Sequence, residues 1–479
     1  MNTSLLFDRS YVNGQWTTEG TASFEVMNPA NGETLATVAD GNVIMTKKAI
    51  KAADRAFKLW SKTTAKYRAS ILEKWNDLII AHRDELADIM TLECGKPLAE
   101  SKGEVAYGAS FIKWFAEEGK RVYGDVIPPH TENRRIIVIK QPIGVVAAMT
   151  PWNFPLAMIT RKVGPALAAG CTVIIRPTCE SPLTALALVH LAEQAGFPPG
   201  VVNIVVGSDS AAMGKVFCES ELVKKISFTG STKIGQILMA QSSNSLKKLS
   251  LELGGNAPFI VFEDADIDQA VAGAMVSKFR NAGQTCVCVN RFLIHEKVYD
   301  EFTAKLCKAV SELKIGNGLD EGVNIGPLIN KNAVKKTTQF VEDAKAKGGT
   351  ILIGGNALGN CYFEPTVIGN ASKEMLFSSE EIFGPIAPIY KFSSDEQAIQ
   401  MANDTIYGLA SYFYSQNVAR CWKVAEALEY GMVGINEGLI STEVAPFGGV
   451  KSSGQGREGS KYGIEDYLEI KYMCFGNII

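Results

Sequence analysis

Ile143-Gly-Val-Val-Ala-Ala-Met149, running into Thr150-Pro-Trp-Asn-Phe-Pro155, is the stretch on which the fold turns. A short apolar run closed by turn residues is the pattern of a buried strand ending in a loop. Working outward, similar runs recur at Thr172 to Arg176, Val201 to Val206, Lys224 to Thr229 and Lys248 to Leu253, with helix-patterned segments between them. Regular alternation of this kind predicts a parallel, doubly wound α/β sheet with right-handed crossovers. Ligands then bind at the carboxyl ends of its strands. The dinucleotide fingerprint G-x-G-x-x-G is missing after the first strand. Gly230-Ser-Thr-Lys-Ile-Gly235 follows the fourth instead, where Gly230 permits a tight turn, Ser231 or Thr232 can cap the next helix, and free backbone N–H groups suit a pyrophosphate. An ordinary capped strand-to-helix turn has the same appearance, and no Lys-Ser/Thr follows to make a Walker A loop.

Upstream, Thr46 to about Tyr123 is mostly helix-patterned. Val122 to Ile127 and Arg135 to Gln141, joined by Pro-Pro-His-Thr-Glu-Asn, predict a hairpin. Downstream, a second alternating region follows Gly255. Its first helix ends near Asn281, a buried strand runs from Val287 to His295, and Cys286 falls in the loop between them. Glycines crowd Phe447 to Arg457, a loop able to approach a ligand closely. Tyr467 to Phe475 alternates as a strand without a local partner, so it is expected to pair with another subunit's sheet.

The chain has 479 residues, enough for about three domains, and its net charge of -3 comes from 48 basic and 51 acidic residues intermixed. No broad basic face for nucleic acid or anionic lipid follows from that balance. Met1 to Trp16 lacks a targeting pattern and no apolar run is long enough to span a membrane, so a cytoplasmic address is expected. Ten cysteines without framework spacing and four histidines indicate neither disulfides nor a metal site.

Three segments are candidates to meet Cys286. Asn153, just beyond the first strand, has a side-chain amide able to donate to a developing oxyanion, although a turn asparagine would look alike. Glu252 lies between two leucines at the end of the fifth strand. Burial there would raise its pKa and suit it to general-base work. Of the pair Glu380 and Glu381, one carboxylate could meet a ribose hydroxyl.

Phe-Thr-Gly-Ser-Thr232, Leu-Glu-Leu-Gly-Gly255, Gly-Gln-Thr-Cys286, Glu-Ile-Phe-Gly-Pro385 and Pro-Phe-Gly-Gly449 occur in that order, and together they resemble the aldehyde dehydrogenase superfamily over essentially the whole chain. Phe279 to Cys288 and Gly456 to Ile464 are more narrowly similar to its succinate-semialdehyde dehydrogenases. The resemblance implies a Rossmann-type cofactor domain (1–122 and 142–254), an α/β catalytic domain (255–466) and a small β oligomerisation element (123–141 and 467–479). It implies Cys286 as nucleophile, Glu252 as base and Asn153 in the oxyanion site. Thr150, Pro151, Trp152, Arg176, Cys179, Gly230, Ser231, Gly235, Glu381 and Phe383 are then placed on a dinucleotide, and Arg161, Arg280 and Ser441 on the substrate's distal carboxylate. The family's frequent Lys-Pro-Ala/Ser-Glu is Arg176-Pro-Thr-Cys179 here. A glutamate would repel a 2'-phosphate, so its replacement by Cys179 beside Arg176 predicts NADP, with NAD as the alternative. Glu180 could restore a carboxylate if the loop shifts. The expected substrate is succinate semialdehyde, glutarate semialdehyde or another aldehyde being the alternative, and an inactive binding relative the alternative of another class. A homo-oligomer, a tetramer by resemblance, and a reversible disulfide between Cys286 and Cys288 complete the expectations.

Overall fold

A computed structural model describes residues 4–18 and 20–477; residues 1–3, 19, 478 and 479, which include the ends of the 1–122 and 467–479 segments, lie outside the described residues. The helical preface is four helices, α1 (Val43–Trp60), α2 (Ala65–Ala81), α3 (Arg83–Cys94) and α4 (Leu98–Glu118). Asn42 and Thr64 cap the first two through their side-chain oxygens. A meander follows, β1 (Asp125–Ile127) and β2 (Arg134–Pro142), and then the alternating core: β3 (Val145–Thr150), α5 (Ala157–Ala169), β4 (Thr172–Pro177), α6 (Pro182–Ala195), β5 (Val202–Ile204), α7 (Ser210–Glu219), β6 (Val223–Thr229), α8 (Thr232–Ser242) and β7 (Lys248–Glu252).

The core strands lie parallel in the order β5-β4-β3-β6-β7. The chain winds outward from β3 in one direction and then, from β6, in the other. The crevice between the carboxyl ends of β3 and β6 is therefore the switch point where such sheets take a ligand. Both faces of the sheet are covered by apolar side chains, one by a cluster that includes α2, α4, α5 and α6, the other by a smaller cluster with α1 and α7. Strands buried on both faces need uninterrupted apolar runs, which is why β3 reads Val-Val-Ala-Ala-Met.

A second sheet with its own core holds β8 (Ala257–Val261) and β9 (Val289–His295), separated by α9 (Ile267–Lys278). The last strand, β10 (Leu468–Gly476), corrects one expectation. It is not without a partner in its own chain, pairing antiparallel with β2 from Leu468 opposite Pro142 to Gly476 opposite Arg134, while its other edge stays open at the end of the sheet. Proximity along the chain had concealed a partner more than 300 residues away. No helix among the described residues is long and apolar enough to cross a membrane.

Candidate active site

Helix α9 stops at Lys278, short of the expected Asn281, because Asn281, Ala282 and Gly283 turn left-handed with φ of 50°, 53° and 77°. For an alanine this conformation costs roughly 1–2 kcal/mol, so the turn must be held from outside. Asn281 N donates to the Glu100 carboxylate at 2.8 Å, Asn281 Nδ2 donates to the carbonyls of Asn153 and Gln284, and Gln284 Nε2 donates back to the Asn281 carbonyl at 3.1 Å. A Cβ on Gly283 would stand 2.2 Å from the Gly384 carbonyl oxygen, which ties this turn to the Glu381–Pro385 segment. Three residues further on, Cys286 is presented by a fixed loop.

The same bonds fix Asn153. Its carbonyl accepts from Lys96 Nζ at 2.7 Å, and Lys96 is paired with Glu104, which in turn accepts the N–H groups of Leu156 and Ala157. Its Nδ2 donates to the Gln284 carbonyl at 3.0 Å. An amide carries two such protons. The second has no acceptor among the described residues, which leaves it for an oxyanion.

Glu252 ends β7, is 2 % exposed, and neither of its carboxylate oxygens has a hydrogen-bond partner among the described residues. The glycine-rich loop closes on it: Leu251 and Glu252 pair with Gln455 and Gly454, and a Cβ on Gly448 would lie 2.9 Å from Glu252 Oε1. Burial, then the neighbouring Glu458, push Glu252 well above the usual carboxylate range, against the pull of Arg161 and Lys162. Glu458 takes the opposite course. Burial raises it too, but Arg161 and Lys162 are both paired to it and hold it below its usual value. Two buried carboxylates side by side are thus driven apart, Glu458 toward the charged form and Glu252 toward holding its proton more tightly than a free carboxylate does.

Cys286 itself is pushed up to about 11, chiefly by burial; Glu252 and Glu381 add to this, while Arg161 and Arg280 oppose it. The thiol lies between two cavities. On one side is a cavity of about 320 Å³ lined by Pro151, Trp152, Gly230, Ser231, Glu381 and Phe383. On the other, a small chamber is lined by Arg161, Arg280 and Ser441 together with Tyr107, Phe154 and Phe447. The aromatic rings seat the cations, Arg161 lying 4.2 Å from the centre of Phe447 and Arg280 5.3 Å from that of Phe154.

The first cavity fits a dinucleotide. It opens at the switch point, where Ser231 caps the start of α8 by accepting from Ile234 N, so the N-terminal N–H groups of a three-turn helix face it. Gly230 and Gly235 admit no Cβ, which would come within 2.4 Å of Phe228 and 2.5 Å of Leu253. Thr150 and Thr229 keep buried hydroxyls without partners among the described residues at the two strand ends. Glu381 points inward and accepts Gly255 N at 2.9 Å, and burial lifts it to about 7; Glu380 is exposed.

Arg176 and Cys179 stand apart from this cavity, at the end of β4. Arg176 Nη2 donates to the Gly207 carbonyl at 3.0 Å and to Ser210 Oγ, and its Nε is buried without a partner. Cys286 and Cys288 are both free thiols. Cys288 is buried against Lys278, whose Nζ is 3.4 Å from its sulfur. Sequence reasoning missed Lys96, Glu100, Glu104, Asn281, Gln284 and Glu458, all of which hold the reacting groups in place. Asn281, Gln284 and Glu458 stood inside quoted motifs without a role being read for them, whereas Lys96, Glu100 and Glu104 carried no signal.

A loop cysteine at the switch-point crevice, with an amide donor and a buried carboxylate beside it, is the arrangement expected of an NAD(P)-dependent oxidoreductase. The chain belongs to the aldehyde dehydrogenase family, which it matches over residues 16–473. It is 57% identical to the NADP(+) succinate-semialdehyde dehydrogenase of Escherichia coli, over 99% of each chain. A glutarate-semialdehyde dehydrogenase of Pseudomonas putida is 56% identical, over 98% of each. The crystal structure of succinate-semialdehyde dehydrogenase from Burkholderia pseudomallei superposes with a TM-score of 0.98 at 57% identity, covering 99% of both chains.

Proposed function

We propose that the chain oxidises succinate semialdehyde to succinate, with NADP as the preferred cofactor. The observation that carries this reading is the chamber in which Arg161, Arg280 and Ser441 meet Cys286. Guanidinium forks match a carboxylate with parallel hydrogen bonds, and a short acid of that kind would bring its aldehyde carbon to the thiol. Cys286 adds as thiolate to that carbon, and the oxyanion formed accepts from the free Asn153 amide proton and from the Cys286 backbone N–H. The nicotinamide, when bound, supplies the acceptor for the hydride that leaves this carbon. Glu252, in its ionised form, then takes a proton from the water that attacks the thioester, and the C–S bond breaks to release the acid and restore the thiolate.

NADP is favoured by the absence of a glutamate at Cys179 and by the cation of Arg176 beside it. A homo-oligomer, most simply a tetramer, is favoured by the apolar side chains that the β1-β2-β10 sheet exposes, Val126 at 80 %, Ile470 at 69 % and Tyr472 at 59 %. The test is kcat/KM for succinate semialdehyde, glutarate semialdehyde and uncharged butanal, each with NADP and NAD. We expect succinate semialdehyde to exceed butanal by at least about 100-fold, since butanal leaves buried donors unpaired. Comparable values for the two would sink the carboxylate assignment.

A further inference from the structure

The chamber beside Cys286 contains one polar group that no sequence motif pointed to. Tyr107 is carried by α4, and its ring meets Phe111 edge-on at 5.0 Å. Tyr107 lines the same chamber as Arg161, Arg280, Ser441 and Cys286, yet its hydroxyl is buried and its proton meets no acceptor among the described residues, the side chain in reach of its oxygen being the donor Arg161. A buried hydroxyl whose proton is left unpaired is destabilising. At a chamber wall, that cost is removed when a ligand brings the missing acceptor.

The neighbours show what kind of acceptor. Tyr107 faces the guanidinium groups of Arg161 and Arg280, which can only donate. Its oxygen can accept from them, but its proton has no acceptor among the described residues. Burial raises Tyr107 above the usual phenol range, more than the two cations lower it, so the proton stays on at neutral pH. Arg161 Nη2 and Arg280 Nε are likewise buried without acceptors, and Glu458 occupies another side of Arg161. The chamber has donors in excess and lacks an anion.

We propose that Tyr107 is a specificity-determining residue whose hydroxyl donates to the distal carboxylate of the substrate, alongside Arg161, Arg280 and Ser441. This rests on the semialdehyde reading above and adds a group to it. The helix that carries Tyr107 also carries Glu104, which holds Lys96 and through it the Asn153 carbonyl. Carboxylate recognition and the oxyanion site are thus referred to one rigid element.

Tyr107→Phe keeps the ring and its contact with Phe111 and removes only the O–H. The measurement is kcat/KM for succinate semialdehyde and for butanal, in the wild-type protein and in Y107F, with urea midpoints for both. The ratio of semialdehyde to butanal should fall roughly 10- to 100-fold in the variant, mostly through KM, as expected for a hydrogen bond to a charged group. The urea midpoint should not fall, because a buried hydroxyl whose proton is unpaired is no net source of stability. A decline of the ratio by less than about five-fold, or a lowered midpoint, overturns the assignment. A wild-type ratio near one would overturn the semialdehyde reading and Tyr107 with it, whereas a high wild-type ratio kept in Y107F removes Tyr107 alone.

Discussion

The resting nucleophile should be a protonated thiol, and alkylation kinetics can show it. With Cys286 at about 11, roughly one molecule in 1,000 is thiolate at pH 8, against about one in ten for a thiol near 9. That alone would slow reaction with iodoacetamide about 90-fold relative to an unperturbed thiol. The more basic thiolate is also the better nucleophile, and a Brønsted slope of about 0.4–0.5 over two pH units returns roughly six- to ten-fold. The net expectation is a resting rate about ten-fold below that of an unperturbed thiol at pH 8, rising close to ten-fold per unit from pH 7 to 10. Arg161 is the leading group that pulls the thiol down, so Arg161→Met should move the rise to higher pH. The assay follows alkylation of the Cys286 peptide by mass spectrometry in the cofactor-free protein. A rate already level at pH 8, or a shift to lower pH in R161M, would refute the reasoning.

Glu458→Gln leaves Arg161 and Lys162, 2 % and 0 % exposed, without their counter-charge, and should cost about 3–5 kcal/mol in urea unfolding; an unchanged midpoint would show that the pair is not stabilising. Loss of the same charge removes a group that raises Glu252, so the acid limb of thioester hydrolysis should move to lower pH, and a move upward would contradict the placing of Glu458. Cys179→Glu restores a carboxylate where a 2'-phosphate is expected, and should lower the NADP to NAD ratio of kcat/KM by roughly 10- to 100-fold; an unchanged ratio separates Cys179 from cofactor choice.

Much of the fold was legible because it is local. Each core strand announces itself as a short apolar run, and the switch point follows from strand order alone. The hairpin of Ser10–Val12 and Gln15–Thr17 at the edge of the cofactor sheet could also have been read, since Asn13-Gly14 at its turn, with φ of 55° and 79°, is a strong hairpin signal. What stayed hidden depends on distant pairing. Nothing near Gln455 says that it will lie against Leu251, or that β10 will find β2. The site divides in the same way. Cys286, Glu252 and Asn153 stand in conspicuous motifs, but Glu100 and Glu104 look like ordinary charges on an amphipathic helix. Their work is visible only once Asn281 N and Lys96 are seen beside them.

The central claim is that Cys286 carries the acyl group and Glu252 removes it. Glu252→Gln, mixed with succinate semialdehyde and NADP, tests this directly. A burst of reduced cofactor matching the number of active sites should appear, followed by turnover slowed about 100- to 10,000-fold, with a succinyl group on the peptide that contains Cys286. Unslowed turnover, or an acyl group on any other residue, would contradict it.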